Sequence, residues 1–444
     1  MPPAILAGWG RTTASASQVV RPPADADAAP PDDPRGVVAR GSGRSYGDAA
    51  QNAGGVVVAM RARHRLHAFD AAAGTVRVDA GITLDELLRA VVPHGWFLPV
   101  VPGTRMITVG GAIAADVHGK NHVAAGSLRR HLRGFTLLLA DGTRRWVTPD
   151  DHEVFAATLG GMGLTGIVLD AELTLRRIAT AWVRARTTVT TDLAATIAAL
   201  DAADDEYRIA TLDLGQAGPR MGRAIVETAT HASVDDLTDR EPGLTAYGPR
   251  APVTVPDAVP PGLLNRLSAR MLNAVWFARA PRRPRVHLVD LPTFFHPLDA
   301  VGHWNRLYGP RGFVQYQFAV PLGHEDALAR VAQRLAADPC PTFVVVLKRL
   351  GPGGGMLSFP QEGWTLAADI PAGTAGLARL LDTCDDDVCE AGGRVYLAKD
   401  GRLRADRMPV MYPELDRWRQ VRDRIDPTGR WRSDLGRRLG LCTS

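Results

Sequence analysis

Cysteine is scarce in this chain. Four stand among 444 residues, at Cys340, Cys384, Cys389 and Cys442, with no C-x-x-C pair and no histidine-rich spacing. That argues against a disulfide framework and against a metal site, so no metal ligand is assigned. Long apolar runs are missing as well. No stretch approaches eighteen uninterrupted apolar residues, which removes any candidate membrane span. The start, Met1-Pro2-Pro3-Ala4-Ile5-Leu6-Ala7-Gly8-Trp9, has neither a basic leader nor a proper apolar segment behind it, so no secretory signal is expected. Charge of one sign is also lacking, since 52 basic residues face 47 acidic ones. The one dense basic cluster, Arg279-Ala280-Pro281-Arg282-Arg283-Pro284-Arg285, has no interleaved aromatics or nucleic-acid module beside it, so nucleic acid is not expected as a partner.

An apolar content of 45% over this length supports a full core divided into two or three domains. Within it, two glycine-rich loops lie about sixty residues apart. The first is Arg40-Gly41-Ser42-Gly43-Arg44-Ser45-Tyr46-Gly47, directly after the apolar run Gly36–Ala39. The second is Pro102-Gly103-Thr104-Arg105, running on through Thr108-Val109-Gly110-Gly111-Ala112-Ile113-Ala114 to His118-Gly119-Lys120-Asn121-His122. Backbone amides that converge without side chains in the way form a concave cradle for an anion. Two cradles imply an extended ligand with a pyrophosphate, and a dinucleotide fits. The spacing is wrong for the nicotinamide fingerprint, because Gly41, Gly43 and Gly47 are one residue too far apart and lead toward another strand rather than a helix. No Walker lysine follows either loop.

Both loops resemble the FAD-binding domain of the vanillyl-alcohol oxidase superfamily, in which R-G-x-G-x-S and P-G-T-x-x-x-T-V-G-G-A-I-A wrap the pyrophosphate. Residues 155–168, with Gly166 and Ile167, resemble the superfamily's third segment on the adenine side. Within the superfamily, Gly8–Thr12, His118–His122, His296–Asp299, Trp304–Arg306, Gly312–Phe318, Leu357–Pro360, Ala398–Asp400 and the tail through Asp434 resemble the actinobacterial decaprenylphosphoryl-β-D-ribose 2-oxidases, from about residue 5 to 440. The resemblance implies FAD-dependent oxidation of the 2-hydroxyl of a polyprenyl-phosphate-linked ribose. That is the first half of an epimerisation to arabinose for cell-wall arabinan, and a short-chain reductase partner would complete it. A cytoplasmic enzyme, or one peripheral at the inner face of the plasma membrane, would fit. Two alternatives stay open: a soluble polyol or sugar-lactone oxidase of the same superfamily, and a catalytically silent flavin-binding partner protein.

The expected fold is α+β. A two-subdomain FAD-binding domain covers 1–175, a substrate domain on an antiparallel sheet with helices covers 176–398, and 399–444 returns to the FAD domain. Thr83-Leu84-Asp85-Glu86 has the capping-box pattern for a helix over 85–92. Helices are also expected at 193–200, 325–336 and 413–424, and strands at 207–213, 223–229, 312–321 and 342–349. Residues 22–34 carry proline and aspartate in place of the amphipathic helix usual in the family, so a loop is expected there.

Alcohol oxidation needs a hydride acceptor, a base for the hydroxyl proton and positive charge beside the reduced cofactor. Lys399 follows the apolar run Val395–Ala398 and is the first candidate for catalysis, the other reading being a surface lysine paired with Asp400. His118 and Lys120 join it. Asn121, His122, Gly119 and Tyr396 are expected around the cofactor. Tyr46 is either a packing aromatic or a substrate contact. Gln315 and Gln317 share one face of an alternating strand, as amides for sugar hydroxyls or as an exposed polar face. Lys348 ends an apolar run and is a candidate partner for the substrate phosphate. Leu264, Leu267, Met271 and Val275 fall on one helical face, able either to touch a membrane surface or to pack on the substrate domain. Ala367 and Thr365 stand where mycobacterial relatives carry cysteine and asparagine, so inhibitors that capture that thiol have no target here.

No histidine lies between Arg40 and Gln51, where covalent members of the superfamily attach the flavin. FAD is therefore expected to be noncovalent. Acid precipitation should leave the yellow chromophore in the supernatant, whereas colour retained in the pellet would show a covalent bond.

Overall fold

The computed structural model describes residues 3–21, 31–215, 218–238, 243–249, 253–337 and 340–442. Most of the proline-rich stretch 22–34 lies outside them. Three sheets carry the architecture, which is α+β. The first has four strands in the order Ala4–Ala7, Ala14–Val20, Val56–Ala59, Val37–Arg40, the last three mutually parallel. The second is antiparallel, in the order Leu66–Asp70, Thr75–Asp79, Ile167–Thr174, Leu132–Leu138, Arg144–Val147. Thr83 closes the capping box with Glu86 and starts the helix Leu84–Val91 one residue earlier than its pattern suggests. Thr108 caps the short helix Val109–Ala114 by accepting from the Gly111 amide.

The third sheet has eight antiparallel strands, in the order Arg285–Asp290, Trp182–Thr190, Arg223–His231, Tyr207–Asp213, Phe343–Leu350, Gly363–Pro371, Phe313–Pro321, Arg394–Val395. Its register decides the chemistry of its two faces. Gln315 lies opposite Asp369, Gln317 opposite Ala367, and Lys348 opposite Thr365. Period-two alternation therefore puts both amides, Lys348 and Val346 on one face. Phe318, Leu347, Leu366 and Ala368 fill the other, where helices Glu325–Ala336 and Leu377–Glu390 pack on the sheet and on each other.

The last thirty residues run back to the first sheet. Helix Leu415–Ile425 packs on helix His152–Thr158, and the Trp418 indole donates to the Ala157 carbonyl at 2.9 Å. Trp431, fully buried, bridges to Val37. Arg438 grips Asp48 with two bonds of 2.8–2.9 Å and also pairs with Asp400. Asp426, with 1% of its surface exposed, holds this return in shape by accepting from the amides of Arg430 (2.7 Å) and Trp431 (2.9 Å) and facing Arg422. Asp426→Ala strands the Arg430 and Trp431 amides and leaves Arg422 to Asp423 and the Trp431 carbonyl, a loss of about 2–4 kcal/mol. Denaturant unfolding of the variant should show that drop, and a difference below about 1 kcal/mol would refute the assignment.

Candidate active site

The backbone around the first loop clamps it from both sides. The Trp9 and Gly10 amides donate to the Ser45 and Tyr46 carbonyls, and the Tyr46 amide donates to the Ala398 carbonyl. Arg44 lies over the Trp9 ring at 3.8 Å. The second loop is tied to the segment after helix Leu291–Phe295. Asp299 accepts from the Thr104 hydroxyl at 2.7 Å and from the Arg105 amide at 2.9 Å. One cavity runs between the loops and on to the polar face of the eight-stranded sheet.

The glycines of the loops do two different jobs. A Cβ on Gly41 would sit 2.2 Å from the Thr108 hydroxyl, so that glycine lets the two loops touch. A Cβ on Gly103 would meet no atom within 4 Å and would project into the cavity, which the loop lines. Bare backbone facing open space fits a ligand diphosphate better than any packing requirement. His118 makes the same point chemically. Its ring is buried, its Nε2 meets the Gln317 amide at 3.3 Å, and its Nδ1 has no partner. Burial holds this imidazole well below its ordinary pKa, so it is neutral. With Gln317 donating to Nε2, the proton sits on Nδ1, a donor awaiting an acceptor.

Lys120, Lys348 and Lys399 all line this cavity. Of the 52 basic residues these are the only lysines. Burial lowers each one: Lys120 to about 8 against the raising effect of Glu227, and Lys348 to about 8 with help from Lys120. Lys399 is lowered by burial, and Asp369 opposes that. The Lys120 ammonium donates to the Phe294 carbonyl at 2.5 Å and sits 4.0 Å above the same residue's ring. Lys399 is not the surface partner of Asp400, whose carboxylate is taken up by Arg438 and by the Arg402 and Leu403 amides. Its ammonium lies 3.8 Å from the centre of the Tyr46 ring. Tyr46 packs edge-on against Phe313 and also lines the cavity.

A model of the FAD binding domain matches residues 29–148. A decaprenylphosphoryl-beta-D-ribose oxidase of Mycolicibacterium smegmatis is 41% identical over 98% of this chain and 97% of its own. The chain belongs to that family of FAD-dependent oxidases. A Streptomyces coelicolor protein without an assigned activity is 42% identical over 81% of this chain and all of its own. An alditol oxidase from a Streptomyces strain is 33% identical over only 31% of this chain and 34% of its own. The enzyme is thus an FAD-dependent oxidoreductase. The catalytically silent alternative falls with the full-length match.

The cavity brings together most of the residues expected from sequence: Gly41–Tyr46, Pro102–Thr104, Thr108, Gly110, Gly111, Ala114, His118–Lys120, Gly166, Gln315, Gln317, Lys348, Tyr396 and Lys399. Six others stand one layer back. Arg40 spends its guanidinium on the Ala50 and Ala7 carbonyls, and Gly47 lies against the Asp400 backbone. Val109 and Ile167 are core residues. Asn121 donates to the Pro99 carbonyl, and His122 Nδ1 accepts from the Gly351 amide. Sequence reasoning missed Trp9 under Arg44, Trp304, and the pair Val344 and Val346, two positions apart on one strand and so on one face, all lining the cavity. Lys120, Lys348 and Lys399, each a candidate from sequence, are also the only lysines of the chain.

Gly103→Val tests the cradle. Its side chain occupies only open space, so unfolding of the FAD-free protein should change by less than about 0.5 kcal/mol. FAD affinity, read by quenching of flavin fluorescence, should fall at least about a hundredfold, near 2.7 kcal/mol. Unaltered affinity would show that this loop does not hold the cofactor.

Proposed function

We propose that this oxidase removes hydride from the C2 carbinol of a polyprenyl-phosphate-linked ribose and leaves the 2-keto sugar. The full-length likeness to the mycolicibacterial oxidase supports the substrate class. The observation that carries the chemistry is a half-buried lysine, Lys399, facing the same cavity as both glycine cradles. FAD, bound noncovalently, would lie against residues 41–46, 102–104, 108, 110 and 111 and would supply the hydride acceptor. Lys399 takes the hydroxyl proton as the C–H hydride departs, so the alcohol loses two electrons and two hydrogens in all. His118 offers its Nδ1 proton toward the cofactor, and Lys120 keeps positive charge near it. Gln315 and Gln317 accept from sugar hydroxyls beside Tyr46. Lys348 meets the phosphate as a point charge.

Residues 1–175 and 399–444 on this reading hold the cofactor, and 176–398 hold the substrate. Helix Arg266–Arg279 gives the lipid a landing surface. Its inward side carries Ala269, buried, and Asn273, bonded to Asp213 at 2.8 Å. Leu267, Met271 and Val275 point outward with 68%, 61% and 49% of their surface exposed, and the exposed Arg282, Arg283 and Arg285 follow. An apolar stripe with arginines beside it suits an anionic leaflet. No helix among the described residues is long and apolar enough to cross a membrane. The arabinose epimer needs hydride returned to the opposite face, which a separate short-chain reductase would supply.

Stopped-flow bleaching of the flavin decides the substrate. Decaprenylphosphoryl ribose in anionic vesicles should bleach it faster than free sugars or alditols, while faster bleaching by a free alditol would favour a polyol oxidase. Met271→Glu should slow the vesicle reaction and leave the detergent reaction unchanged. Lys399→Met should cost about 10²–10⁴ in rate. Burial lowers the pKa of Lys399, so its amine form persists near neutrality. Below neutrality the ammonium cannot accept a proton, and the rate should fall about tenfold per pH unit.

A further inference from the structure

Asp369 takes no part in the chemistry described so far. It lies on strand Gly363–Pro371, directly across the register from Gln315, fully buried behind the cavity wall. Gln315 Nε2 donates to its Oδ1 at 2.5 Å, and its Oδ2 has no hydrogen-bond partner. The Tyr308 hydroxyl faces the same carboxylate from the segment Trp304–Tyr308.

We propose that Asp369 is a positioning residue, which turns the Gln315 carbonyl toward the cavity and sets a carboxylate behind the wall that Lys399 faces. This rests on the reading of Lys399 as the proton acceptor.

The first half of the inference is a matter of donor and acceptor inventory. Gln315 spends its NH₂ end, its only donor, on Asp369 Oδ1. The carbonyl oxygen of Gln315 is left to the cavity, a fixed acceptor for a hydroxyl. Gln317 is anchored in the same sense, since its NH₂ reaches the Thr365 hydroxyl and His118 Nε2, both at 3.3 Å. The wall thus presents two carbonyls of set direction.

The second half is electrostatic. Lys399 shares the cavity with Lys348, His118, Gln315 and Tyr46, whose ring its ammonium overlies at 3.8 Å, and Asp369 stands directly behind Gln315. Among them Asp369 is the carboxylate. Burial disfavours the charged form of both Lys399 and Asp369, and each favours the charge of the other. Without the carboxylate, the Lys348 charge and burial act on Lys399 unopposed.

The chain's three lysines make the test direct. Holoenzyme grown on ¹³C-lysine should give three Cε signals, and Lys120→Arg and Lys348→Arg identify the third as Lys399. In Asp369→Asn that signal should titrate at a pH lower by about one, a tenfold loss of ammonium at a given pH. Asp369→Glu should hold it within about 0.3. The acid limb of flavin reduction should move down in step, and KM should rise about tenfold as the amide loses its orientation. An unmoved Lys399 signal in Asp369→Asn overturns the pairing. Should the Asn protein fail to fold, Asp369→Ser serves the same test. A signal that moves while no alcohol bleaches the flavin supports the pairing and sinks the substrate reading instead.

Discussion

The constraint on which the site depends is positive charge held half-buried around one cavity. Lys120, Lys348 and Lys399 are taken out of bulk water around one cavity, and among the described residues the carboxylates acting on them are Glu227 and Asp369. An isolated ammonium in such a place is costly unless it finds an anion or sheds its proton. Both outcomes are useful. A lysine that sheds its proton readily is a base, and lysines still in need of an anion are a binding site for one. A cavity built this way is suited to an anionic substrate and an anionic cofactor together.

Placing those charges requires distant parts of the chain to be held within a few ångströms of each other. Lys120 ends the second glycine loop, Lys348 lies within a strand of the eight-stranded sheet, and Lys399 follows the sheet's last short strand. Two devices make the arrangement rigid. Strand register puts Gln315, Gln317 and Lys348 on one face. The C-terminal return, locked by Asp426, Trp431 and the Arg438–Asp48–Asp400 cluster, fastens the first loop to the turn that carries Lys399. The Tyr46 amide bonded to the Ala398 carbonyl is the last link of that chain of contacts.

How much of this was legible in the sequence follows from how local each signal is. The glycine loops could be read because a cradle is built from consecutive residues, and the capping box at Thr83–Glu86 for the same reason. The helices at 193–201 and 325–336 showed their period directly. Lys399 was a different case. Its local sequence suits a surface ion pair with Asp400, and only the family resemblance raised it. The structure shows why local reading failed, since Asp400 is committed to Arg438, 38 positions away. Asp369 was invisible because its meaning comes entirely from strand pairing with Gln315. The stripe on Arg266–Arg279 had amphipathic spacing, but spacing cannot say which side of a helix meets the protein. Its inward side is chosen by Ala269 and Asn273, small or polar residues that packing against Asp213 requires.

The cavity wall also separates two kinds of recognition on physical grounds. Point charges such as Lys348 act over distance and tolerate a mobile phosphate, so on the proposed reading they govern affinity for any lipid-linked anion. Amide carbonyls locked by Asp369, Thr365 and His118 act only at hydrogen-bond distance and along set directions. They can tell one arrangement of ring hydroxyls from another, because a hydroxyl in the wrong place leaves a buried carbonyl unpaired at a cost of about 1–3 kcal/mol. On the proposed reading, selectivity for the sugar lies in residues whose own chemistry is weak. It depends on the unseen carboxylate behind them more than on the lysines that dominate the view from the cavity.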